Sequence, residues 1–250
     1  LLSLERAKET AKKMGFSGNP QALSQRSYRF QPEDNSPVIL DFDIVNGNFT
    51  LQYDFSGDQT ILSEKKLPLD DQAIYEAKSF LQNTGLLYPD LANAKTRISY
   101  LRYEAPNLIP VISLSEADFV KAELFREDLD NLSILPENPK ESSIYFILSG
   151  ARERTKRMVK INYQYNKIER ENFATYPLKP VSTAWQEIQA NQGFIANLGD
   201  NSDGKITIRK VYLAYFDSRE PQNFLQPIFV FEGDRDFFAY VSAIDPKWVE

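Results

Sequence analysis

Apolar residues recur along this chain in two rhythms, one every three to four positions and one every second position, and the switches between them mark its elements. Leu4, Ala7, Ala11 and Met14 share one helical stripe, with Ser3 placed as an N-cap and Gly15-Phe16 following the last turn. Glycine there takes the left-handed conformation that closes a helix, and the next apolar side chain folds back. The same ending recurs twice. Asp70 or Asp71 opens a second helix through Ile74, Ala77 and Leu81, stopped at Gly85-Leu86. Thr183-Ala184-Trp185-Gln186 reads as the capping box of a third, with Trp185 and Ile188 inward and Gly193-Phe194 at its end. Leu67-Pro68-Leu69 and Tyr176-Pro177-Leu178 stand at similar distances before the second and third stops. The pattern reads as a repeated unit of one helix followed by strands.

Alternating segments fill the intervals. Ser27 to Phe30 is a short strand, and Val38 to Val45 with Phe49 to Phe55 flank Asn46-Gly47, a strong hairpin signal. Arg97 to Tyr103, Ile109 to Leu114 and Ile144 to Leu148 read as strands. Asp118 to Phe125 reads as strand or helix, because Phe119, Ala122 and Phe125 also share a helical face. Val159, Ile161, Tyr163 and Tyr165 alternate toward a turn at Asn166-Lys167 and a return strand through Phe173. In Lys205 to Phe216 the apolar parity changes, which calls for a bulge near Arg209-Lys210 or for cover on both faces. A last hairpin joins Gln226–Phe231 to Phe237–Val241 around Gly233-Asp234-Arg235. Strand and helix do not alternate strictly, so a doubly wound parallel sheet is disfavoured. The expected fold is α+β, with tandem units of a helix packed on one face of an antiparallel sheet. Units are expected at 1–66, 67–175 and 176–250, with 67–250 open to packing as one domain.

Composition narrows the chemistry. The chain has 250 residues, with no His and no Cys. That excludes a Ser-His-Asp triad, a His-ligated zinc, a thiol nucleophile and a disulfide. Neither a G-x-G-x-x-G nor a Walker-type phosphate loop is present. The expectation is no enzyme and no cofactor. With 29 basic and 35 acidic residues the net charge is −6, which disfavours nucleic acid as a partner. No apolar run is long enough for a membrane span. The chain opens Leu1-Leu2-Ser3 without Met and avoids Cys. We therefore expect an extracytoplasmic location, with a tether or signal upstream of Leu1.

Four features carry candidate chemistry. Asp41 and Asp43 project from one side of a strand, as an acid–base pair or as the wet face of a hairpin. Asp200-Asn201-Ser202-Asp203-Gly204 is calcium-like at a glance, but Gly204 falls at position 5 and no Glu follows in place, so a turn is expected. Glu232-Gly233-Asp234-Arg235-Asp236 is likewise a hairpin loop first. The dense basic run is Arg152, Arg154, Lys156 and Arg157, on a loop between two strands. It is the candidate partner-binding site, for an acidic partner, a teichoic-type polymer or lipid headgroups. The alternative is a solvated loop whose charge keeps a sheet edge from pairing. Tyr212, Phe216, Phe229, Phe238 and Tyr240 crowd the last strands on both parities, so that sheet needs a second cover, from this chain or a partner.

The run Tyr176-Pro177-Leu178, Ala184-Trp185, Gly193-Phe194, Ile206 and Ile208, Val211 to Tyr215, and Leu225 to Phe231 resembles the C-terminal part of the extracytoplasmic YycH/YycI-type regulators. The likeness covers residues 115–243. The N-terminal helix and hairpin are similar to a PepSY-like module. These resemblances imply a non-catalytic bacterial regulatory domain outside the membrane, anchored upstream and binding an envelope or membrane protein. They also imply a peptidase-inhibitory alternative. An envelope glycan-acting enzyme using paired carboxylates is the third reading.

Overall fold

The computed structural model describes residues 3–33, 36–64, 66–220 and 222–248; Leu1 and Leu2, on which the expected upstream tether turns, lie outside them. The first elements are α1 (Leu4–Lys13), β1 (Gln21–Ala22), β2 (Ser27–Phe30), β3 (Val38–Asp43), β4 (Phe49–Tyr53), α2 (Gln59–Ser63), α3 (Asp70–Thr84) and α4 (Pro89–Ala92). Next come β5 (Thr96–Glu104), β6 (Asn107–Val111), β7 (Phe119–Leu124), β8 (Ile134–Leu135), β9 (Ile144–Leu148), α5 (Arg154–Arg157) and β10 (Met158–Tyr163). The last are α6 (Val181–Gln189), β11 (Phe194–Asn197), β12 (Ile208–Phe216), β13 (Gln226–Gly233) and β14 (Phe238–Ser242). The fold class is α+β, as the patterning implies.

Two compact units form, and neither follows the expected boundaries. One comprises Leu1–Phe125 with Ser143–Tyr165, the other Arg126–Ser142 with Asn166–Glu250. The expected break at residue 66 falls inside a nine-stranded sheet of order β1-β2-β3-β4-β10-β9-β7-β5-β6. Phe49 to Gln52 of β4 pair antiparallel with β10, so strands from both expected units share backbone hydrogen bonds. The expected break at residue 176 lies within the second unit. Residues 67–250 do not form one domain, because they are divided between the two units.

In the first unit α1 and α3 join one core with the sheet. Ser3 caps α1 by accepting from the Arg6 amide, while Glu5 and Lys12-Lys13 complement the helix dipole. Gly15 has φ of 101°, and the Phe16 amide donates to the Ala11 carbonyl at 2.9 Å. Gly85 ends α3 in the same way, with φ of 78°. Leu69, not Asp70 or Asp71, is the N-cap of α3, and both aspartates sit in its first turn. Ala7, Ala11, Ala73, Ala77 and Leu81 are buried in one core with strand residues such as Leu40, Phe146 and Ile161. Small alanines let the helix backbones approach the sheet closely. Phe42, Phe49 and Tyr163 stack across β3, β4 and β10, with centroids 5.8 and 5.1 Å apart; such pairs contribute about 0.5–1.5 kcal/mol each beyond area burial. β7 is a strand rather than a helix, buried at nearly every position, which is why its periodicity was ambiguous. The β3–β4 connection is longer than a two-residue turn, because Phe42 pairs with Phe49 and the Asp43 amide donates to the Asn48 carbonyl.

In the second unit the sheet order is β11-β14-β13-β12-β8, antiparallel except for the two-residue β8–β12 pairing. The register of β12 shifts between Ile208 and Lys210, where the parity change placed a bulge. The end of α6 differs from expectation. Asn191, φ 58°, takes the left-handed position, and the Gln192 amide donates to the Glu187 carbonyl. Asn tolerates that conformation through its short polar side chain. Gly193 serves close packing instead: a Cβ there would lie 2.4 Å from Ile188 Cδ1. Ala184 is the buried residue of α6, whereas Trp185 keeps 40% of its surface exposed against one side of Phe231. The return strand through Phe173 does not form, and Phe173 is exposed. The sheet is apolar on both faces, as the crowding of aromatics required. One face holds Phe229, Phe231 and Val241 under α6, and the other Ile228, Val230 and Tyr240. Burial pushes the Tyr240 hydroxyl far above its ordinary pKa, and it donates to the Pro136 carbonyl at 3.2 Å.

Candidate functional site

A groove of about 830 Å³ opens in the first unit. Met14 and Phe16 from the end of α1, Val38 and Leu51 from the sheet, and Phe80 and Met158 make its apolar floor. Gln72, Tyr75, Glu76, Ser79 and Asn83 of α3 form one wall. The segment from Gly150 to Arg157, between β9 and β10, where the sequence placed the basic cluster, also lines the groove. Gly150 lets that segment lie against the backbone of Glu64 and of Lys66: a Cβ at this position would sit 1.7 Å from the Glu64 carbonyl oxygen.

The four basic residues divide into two pairs. Lys156 and Arg157 are committed to the fold. Arg157 grips Glu76 of α3 through Nε at 2.8 Å and Nη2 at 2.7 Å, and donates to the Ser149 carbonyl at 2.7 Å. Lys156 reaches Asp58 at 2.8 Å, and the same carboxylate accepts from Tyr53 at 2.9 Å. Arg152 and Arg154 are exposed at the groove. Neither has an ion pair or side-chain hydrogen bond among the described residues. The solvated-loop reading therefore fits them only in part, because the segment is held as a wall by its two neighbours.

Lys156 above all, then Thr60 and Tyr53, hold the Asp58 carboxyl far below the usual carboxylate range. A folded-state pKa below the unfolded value means that the ionised group contributes stability above about pH 4 and loses it as pH falls through the folded value. Asp58→Asn is expected to show a stability deficit that is constant above about pH 5 and shrinks below about pH 4. Urea midpoints of both proteins across that range test this, and a pH-independent deficit would refute it.

The other candidates sit elsewhere. Asp41 and Asp43 lie on the sheet parity opposite buried Leu40 and Phe42. Each is engaged by its own arginine. Arg29 binds Asp41 bidentately at 2.7 Å, and Arg26 Nε donates to Asp43 at 2.7 Å. In the second unit, Asp203 accepts from the Lys205 amide and from Arg235, which together lower its pKa. Asp234 is held bidentately by Arg209, and Asp236 by Lys140 at 2.8 Å. These carboxylates fasten hairpin loops. The polar spacing 72, 76, 79 and 83 on α3 was visible in the sequence as a helical stripe, but only the fold sets it beside an apolar trough.

No family model matches the chain, and no curated protein does. Among solved structures, the C-terminal domain of YpeB from Bacillus megaterium is similar at 12% sequence identity and a TM-score of 0.36, over 97% of this chain and 93% of that one. No helix among the described residues is long and apolar enough to cross a membrane.

Proposed function

We propose that this chain is a non-catalytic protein-binding or regulatory module of the bacterial envelope, working outside the cytoplasm. The observation that carries the binding role is the groove: an apolar floor open at the surface beside two arginines that the fold leaves uncommitted. Exposed apolar concavities with a few convergent polar groups are the usual form of a binding site. The absence of Cys suits an oxidising compartment. The YycH/YycI-type and PepSY-like resemblances agree in kind, and tethering through a segment upstream of Leu1 belongs to the same proposal.

A photo-crosslinking amino acid at Tyr75, on the groove wall and 72% exposed, tests the reading in the producing cell. Discrete protein adducts are expected at this position and not at Ile112, which is still more exposed. Adducts at neither position, or at both alike, would overturn it. Protease added to intact cells is expected to degrade the protein; protection until lysis would refute the location.

A further inference from the structure

We infer that the groove of the first unit takes an extended peptide, with alternate apolar side chains on the floor and carboxylates against Arg152 and Arg154. This rests on the protein-binding reading above and narrows it to one class of partner.

Three features select this occupant. The floor is apolar, so side chains entering it must be apolar. Charge supplies the second. The chain is acidic overall, yet the wall from Gly150 to Arg157 presents two exposed guanidiniums. Its other two cations already hold Asp58 and Glu76. A guanidinium offers a planar fork of donors suited to a carboxylate, so the complement of this rim is acidic.

The third feature separates a peptide from an anionic lipid. Gln72, Glu76, Ser79 and Asn83 run along the groove wall of α3 at helical spacing. Ser79 and Asn83 have no side-chain hydrogen bond among the described residues. Gln72 already donates to Glu76, and Glu76 is held by Arg157, so the open stretch is 79 to 83, about 6 Å at about 1.5 Å per residue, the length of about two extended residues at about 3.3 Å each. The Ser79 hydroxyl and the Asn83 amide can pair with the amides and carbonyls of an extended backbone there. An acyl chain makes no use of them.

Selection of random heptapeptides displayed on phage against the whole chain tests this. Enriched peptides are expected to alternate apolar residues and carry Asp or Glu at one end. Fluorescence anisotropy with an enriched peptide is expected to give at least a tenfold weaker Kd for Arg152→Ala/Arg154→Ala. The control Lys167→Ala/Arg170→Ala, which removes equal charge elsewhere, is expected to leave Kd unchanged, and Ser79→Phe is expected to block binding. Circular dichroism checks that each variant is folded. The inference is overturned by no enrichment, by peptides enriched without acids, or by equal losses in the two double variants. It is also overturned if phosphatidylglycerol vesicles bind through the same arginines while no peptide is selected. Failure here with adducts persisting at residue 75 removes the peptide and leaves the protein-binding reading standing; loss of those adducts removes both.

Discussion

Asp217→Ala is expected to destabilise the second unit by about 3–5 kcal/mol, out of proportion to the few atoms removed. Asp217 accepts from Arg126 Nη1 at 3.1 Å, and both side chains are at least nine-tenths buried. The cost of such a deletion comes from the cation left behind. A buried guanidinium that loses this carboxylate keeps its desolvation penalty and loses the part of the attraction that Asp217 supplied. Arg126 also donates to the Asn166 carbonyl, at 3.0 Å, so it cannot swing away to water without giving up that bond. The double variant Arg126→Met/Asp217→Leu removes both charges and keeps the volume, and is expected to recover most of the loss. Urea denaturation, with hydrogen exchange of β12 and β13 amides to localise the effect, measures both. A single-variant loss below about 1 kcal/mol, or a double variant as unstable as the single, would show that the pair is not what holds this site.

Phe146→Ala is expected to cost about 3–5 kcal/mol in the first unit. Phe146 is fully buried on β9, between β10 and β7, and meets Phe80 of α3 edge to face with centroids 5.8 Å apart. Truncation removes the transfer free energy of the ring and leaves a cavity that strands on both sides prevent from collapsing. Phe80 also lines the groove floor, so the lesion is expected to weaken peptide binding at a distance from the rim. Phe146→Leu keeps most of the volume and is expected to cost under about 1.5 kcal/mol. Equal losses for the two variants would argue that packing around Phe146 is loose.

Local rules located most elements because their causes are local. Gly15 and Gly85 ended helices as read, since positive φ beside an apolar residue is written in a few neighbouring positions. The bulge in β12 followed from a change of parity within a single strand. Misreadings arose where the local signal had a competitor. Asn191 took the left-handed position that Gly193 had been assigned, and Gly193 instead lies close to Ile188 and the Tyr240 carbonyl, a proximity that only packing reveals. The return strand after Tyr165 failed because the chain there passes into the second unit, which no periodicity announces. In the basic cluster, the sequence has no means of separating Lys156 and Arg157 from Arg152 and Arg154. Their partners, Asp58 and Glu76, are distant along the chain.

The α+β class, the Gly-stopped helices α1 and α3, the strand content and the exclusion of His- and Cys-based chemistry came from the amino-acid sequence alone. These depend on residue type and short-range spacing. The assembly of nine strands into one sheet, the unit boundaries and the groove required the tertiary structure. Each depends on which strands pair across long separations, and hydrogen-bond pairing between backbones carries no side-chain label that a linear reading can recover.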